Sequence, residues 1–145
     1  MNAFQFRLAS VVRIREMQLR REESALEQLF AEKIRMETDL EHLQQSVSES
    51  WNTSKSRSTL LSSEVSAMSA LEEHSRRERA RFRTRLTAQE DLILKQRSVV
   101  VEIRRNLRLL EKLELKRRQE WQLDADRELA ALLDDTTNAR RQTRA

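Results

Sequence analysis

From Leu86 to Leu110 an apolar residue returns every seven positions, at Leu86, Ile93, Val100 and Leu107, with Ile103 and Leu110 three places after the last two. Charged side chains fill most positions between. A seven-residue period places these side chains on one narrow stripe of a long helix, and such a stripe needs a second helix with a matching one. Residues 1–50 supply it. From Val12 a seam runs through Leu19, Leu26, Lys33, Leu40 and Val47, with Leu8, Arg15, Glu22, Leu29, Met36 and Leu43 as its companion series; nine of these twelve positions are apolar. Random placement at the chain's 38% apolar content would fill about half as many, so the period is a helical signal.

The rest of the composition agrees. Gly and Pro are both absent, which removes the residues that most readily form left-handed turns and break helices. Charged residues make up 36% of the chain against an ordinary level of about 25%, and aromatics only 4%. The core is therefore expected to be a seam. The fold class that follows is all-α, a long antiparallel two-helix coiled coil, or helical hairpin, occupying residues 1–145 as one domain.

Between Ser46 and Ser75 the composition changes: eleven Ser fall in this stretch and charge thins out. Ser and Asn compete for backbone hydrogen bonds and favour caps and turns, so the reversal is expected here. The reading gives helix 1 over about 5–51, a turn region over about 52–63, helix 2 over about 64–135 and a frayed tail over 136–145. Ser69 to Glu72 has the form of a capping box, but Ser24 to Glu27 and Thr38 to Glu41 inside the seam have it too, so the motif does not place the turn. Beyond Leu110 the apolar spacing drifts through Leu113, Trp121, Ala125, Leu129 and Leu132, which unwinds a supercoil locally. The second helix should outlast its partner and continue alone towards Leu133.

Charge is unevenly distributed. Lys and Arg against Asp and Glu give −2 for residues 1–50, −1 for 51–75, +9 for 76–118 and −2 for 119–145. An acidic first helix is thus expected to face a basic second one; the balance reads either as charge pairing between the arms or as a surplus on residues 76–118 that attracts an acidic partner, and the two readings are compatible. The run Arg76–Arg85 holds six Arg and Phe82 without an apolar repeat. It reads as a solvated face more readily than as an anion or nucleic-acid site, because no recognisable nucleic-acid module accompanies it. Phe4 and Phe6 either fold back to cap the end of the coil or dock in a partner. Trp51, followed by Leu60, Leu61, Val65, Met68 and Leu71, either packs on itself at the tip or offers a patch to a second partner.

Catalytic, cofactor and metal sites are not expected. No Gly-rich phosphate loop, Cys nucleophile or paired His ligands are present, and a two-helix coil offers no cavity in which to shift a pKa. His42 and His74 stand alone in charged helical surroundings. The absence of Cys leaves the redox compartment open. No apolar run approaches the ~20 residues of a membrane span, and no secretory h-region opens the chain, so a cytoplasmic location is expected.

FQFRLASVVRIRE at the start, the Ser-rich middle and LRLLEKLELKRRQEWQ with the acidic, Ala-rich turns after it resemble the FliJ family, the small helical stalk proteins of the flagellar type III export apparatus. The most specific piece is the opening cluster of Phe4, Phe6, Arg7 and Leu8 with the later Arg15-Glu16; the resemblance spans essentially the whole chain. It implies a hairpin similar to the central stalk of rotary ATPases, non-enzymatic and without cofactors. Its paired ends would sit in the pore of a hexameric export ATPase. The ring-facing residues would be Phe4, Phe6, Leu8, Val12, Arg15, Leu19, Trp121, Leu129 and Leu132. The middle of the hairpin, near Leu43, Trp51 and Leu71, would contact the cytoplasmic part of the export-gate membrane protein and unloaded export chaperones. There the chain departs from the family pattern, with Ser at most positions where aromatics are often seen. The implied location is the cytoplasmic side of the inner membrane, reached through the export apparatus.

Other readings stay open. The same architecture would serve as the stalk of a virulence injectisome. A generic scaffold coil would dimerise in parallel, whereas the hairpin is expected to be monomeric in isolation. A nucleic-acid-binding coil would show salt-sensitive affinity centred on the basic second helix, residues 76–118.

Overall fold

The computed structural model describes residues 3–57 and 59–143 and is an all-α helical hairpin, two long helices packed against each other. The first, α1, spans Ala9–Lys55, and the second, α2, spans Ser62–Gln142. No described residue has a positive φ, consistent with a chain that lacks glycine. The molecule divides into two compact units, one of residues up to Arg20 together with those from Val101 on, the other Arg21–Val100.

The boundaries differ from the sequence expectation at three places. Helix 1 begins at Ala9 rather than near residue 5, because the first described residues form a non-helical segment whose Phe6 carbonyl accepts the Ala9 N–H at 3.1 Å. It also runs on to Lys55, past the expected end near residue 51. The hydroxyls explain the extension: Ser50 and Thr53 each donate to the carbonyl four residues back, at Ser46 and Glu49, both at 2.9 Å. A hydroxyl satisfied inside the helix no longer competes for the turn. At the far end residues 136–142 are helical, not a frayed tail. Thr136 and Thr137 donate to the carbonyls of Leu133 and Asp134, and Arg140 and Arg141 occupy the last turn, where cations favour the helix dipole. Arg144 and Ala145 lie outside the described residues.

The reversal occupies residues 56–61, of which Ser58 lies outside the described residues. Glu64 fixes the start of α2. Its carboxylate accepts the Leu61 N–H at 3.2 Å, half of a capping box, and pairs with Arg57 at 3.0 Å. The capped position, Leu61, thus lies eight residues ahead of Ser69.

In the Arg21–Val100 unit the helix 1 seam positions Glu22, Leu26, Leu29, Lys33, Met36, Leu40 and Leu43 are half-buried and Val47 is buried. Ile93 and Val100 on α2 are buried against this stripe, at 5% and 3% exposure. In the other unit Leu8, Val12, Arg15 and Leu19 are half-buried and Ile103 and Leu107 buried. All twelve seam positions are thus covered, including the three polar ones. Each buried aliphatic side chain contributes about 1.5–3 kcal/mol.

The companion stripe of α2 is partly polar. Followed back by sevens from Leu110 and Ile103, it passes through Gln96, Gln89, Phe82 and Ser75. Gln89 is only 5% exposed; its Nε2 donates to the Leu29 carbonyl at 2.8 Å and to the Glu32 carboxylate at 3.2 Å. Seven residues on, Gln96 donates to the Glu22 carbonyl at 3.0 Å and to the Glu22 carboxylate. Two amides one heptad apart thus engage helix 1 at two positions one heptad apart, which fixes antiparallel register. Ser75 is fully buried, and its hydroxyl has no hydrogen-bond partner.

Candidate functional site

The terminal unit is built around Trp121. The segment ahead of Ala9 lies along α2 so that the Phe4 ring meets the half-buried indole of Trp121, with centroids 6.0 Å apart and planes tilted by 58°. The Arg118 guanidinium stands 5.5 Å from the centroid of Phe4. Such tilted aromatic and cation–π contacts each contribute about 0.5–1.5 kcal/mol. Of the two readings of the opening aromatics, folding back is therefore what Phe4 does. Phe6 and Leu8 are half-buried beside it, and a shallow groove runs between this segment and Leu113, Arg117, Glu120 and Asp124 of α2.

Within this unit the structure brings together Phe4, Phe6, Leu8 and Trp121, while Val12, Arg15 and Leu19 continue along the covered seam. Arg15 turns its guanidinium to Gln18 on its own helix at 3.0 Å. Leu129 and Leu132 belong to the same unit but stand in the open, 58% and 62% exposed. The expected overhang of α2 is present and longer than expected: every described residue from Asp126 onward is exposed.

At the tip the sequence-derived residues separate. Leu43 is half-buried in the seam, Trp51 is half-buried on helix 1, and Leu71 is 38% exposed. Leu71 lines an open groove with Met68, Ala67, Ser50, Thr53 and Ser54, where the Ser54 hydroxyl lies 3.3 Å from the Met68 sulfur. Leu43 and Trp51 are not part of its lining. Leu60, Leu61 and Val65 project at the reversal, at 46%, 68% and 52% exposure.

Charge pairing is more local than the segment balances imply. In the Arg run, Arg76 and Arg77 both reach Glu73, at 3.0 and 3.2 Å, and Arg81 reaches Glu78 at 2.6 Å, all on α2. Arg79 donates to the Ser75 carbonyl and Arg85 stands over Phe82. Between the helices, Lys33 bridges Glu90 at 3.1 Å, and Arg97 stands 5.1 Å from the Phe30 centroid. Lys33 is a polar seam residue whose ammonium reaches the edge. Its hydrogen bond to Glu90, opposed in part by desolvation and aided by Glu37, raises its pKa above the ordinary 10.5.

His42 and His74 are exposed, and no group of three His, Cys, Asp or Glu placed to hold a metal ion occurs among the described residues. No described helix is long and apolar enough to cross a membrane. The glutamine layers were missed in sequence, although their signal was present: the Ile103–Leu110 spacing, run backwards, lands on both. The fold is a helical hairpin with exposed apolar positions at the reversal and along the far end of α2. Compared with protein-family models, curated proteins and solved structures, the chain matches none.

Proposed function

We propose that this chain is a non-enzymatic stalk of a flagellar type III export apparatus, seating its paired ends in a hexameric export ATPase and linking it to the export gate and to unloaded export chaperones. The observation that supports this most is the seating of the opening segment on Trp121, which makes one composite surface of the two chain ends, beside an exposed helix that carries an apolar stripe. The resemblance assigns ring contact to the same residues. The reading places the chain at the cytoplasmic face of the inner membrane through its partners.

The injectisome stalk remains the same proposal in another apparatus, and neighbouring genes separate the two. The parallel scaffold coil is supported less, because the seam of each helix is already covered by the other helix of the chain. Binding of nucleic acid is supported less as well, since Arg76, Arg77 and Arg81 are engaged by carboxylates of their own helix. The test is a pull-down of the full chain with the export ATPase of its own organism, with turnover and hexamer formation measured alongside. Co-purification with raised turnover or hexamer yield is expected. If neither occurs with both proteins folded, the proposal is wrong.

A further inference from the structure

Past Trp121, α2 is a single helix with a sided surface. At 3.6 residues per turn, Trp121, Ala125, Leu129, Leu132 and Leu133 fall within about one third of its circumference. The last three keep 58%, 62% and 58% of their surface in solvent. Carboxylates border this stripe on both sides: Asp124, Glu128 and Asp135 along one edge and Asp126 along the other. From Glu120 to Asp135 there are six acidic residues and one cation, Arg127, which pairs with Asp124 at 3.2 Å in an exposed bridge. Exposed bridges of this kind contribute little and are screened by salt.

We infer that this end of α2 docks in a protein channel with an apolar floor and Lys or Arg along its walls. The charges decide the class of occupant. A second copy in antiparallel pairing would set the edge of Asp124, Glu128 and Asp135 against its own like; in parallel it would meet Asp126. An anionic lipid surface or a nucleic acid meets the same repulsion. A cationic protein wall answers both edges at once, and burying Leu129 and Leu132 supplies the apolar part of the contact. The inference rests on the stalk reading for the identity of the partner, the ATPase ring, and adds the chemistry of its seat.

The experiment measures affinity of the full chain for the purified hexameric export ATPase of its organism, from about 50 mM to about 500 mM salt, where screening shortens from over ~10 Å to a few Å. Affinity should fall at least about tenfold across this range. The double variant Glu128→Lys/Asp135→Lys should bind about tenfold more weakly at low salt and nearly as wild type at high salt. Leu129→Ser/Leu132→Ser should lose binding throughout. Asp134→Lys, on the opposite face, should bind as wild type. Because all these side chains are exposed, circular dichroism should show each variant as helical as the parent. Charge reversal that leaves binding unchanged or tightens it, or Asp134→Lys weakening it equally, overturns the inference while leaving the stalk reading intact. No binding by the parent chain at any salt overturns both.

Discussion

Replacing Gln89 separates what the seam gains from hydrogen bonding from what it would gain by burial. The side chain is 5% exposed and donates to one main-chain carbonyl and one carboxylate. In Gln89→Ala both bonds go and a gap is left. The Leu29 carbonyl keeps its place in the helix ladder and the exposed Glu32 carboxylate regains water, so the loss is about 1–3 kcal/mol. In Gln89→Leu the same bonds go, but about 1.5–3 kcal/mol of apolar burial offsets them. That variant should be as stable as the parent or up to about 2 kcal/mol more stable. The two variants should differ by about 1–5 kcal/mol, a range that contains the usual cost of shortening a buried Leu to Ala. Urea unfolding followed by circular dichroism reads this directly, provided the denaturant slopes agree. A Leu variant as unstable as the Ala variant would refute the reasoning, because it would mean that the amide bonds outweigh a full aliphatic side chain.

Ser75→Ala removes a buried hydroxyl that has no partner, and should raise the unfolding midpoint by an amount corresponding to about 1 kcal/mol; a lowered midpoint would reveal a bond to that hydroxyl. Phe4→Ala should expose Trp121. In a Trp51→Phe background, where Trp121 is the only indole, its emission should shift to the red, and unchanged emission would contradict the contact. The Lys33–Glu90 bridge makes a signed prediction with pH. Because the folded pKa of Lys33 is raised, its stabilising contribution is fully present below 10.5 and is lost as pH rises through the higher folded value. Glu90→Gln should therefore flatten the alkaline fall of the melting temperature, and an unaltered profile would show that the bridge is not its source.

Much of the hairpin was legible because its period is simple. A seven-residue repeat fixes which side of a helix is covered, and all twelve positions read from Leu8 to Val47 are covered. The turn was harder to place. Ser and Thr send the same compositional signal whether their hydroxyls cap a turn or bond back within a helix, and Ser50 and Thr53 do the latter. Gln89 and Gln96 were passed over because a polar residue breaks an apolar count even where it occupies the seam. For the ends, the sequence left Phe4 between folding back and docking in a partner, and the fold-back became visible only with Trp121 placed across from it. Leu129 and Leu132 could be read as apolar, but their exposure follows from the length of helix 1, which ends the pairing before α2 does.

Hydrogen exchange of the full chain, alone and with the hexameric export ATPase of its organism, bears most directly on the proposed role. The account predicts new protection in residues 3–20 and 113–142, with residues 43–75 at the reversal unchanged by the ring. Protection confined to 43–75, or none anywhere while the ATPase remains hexameric, would contradict it.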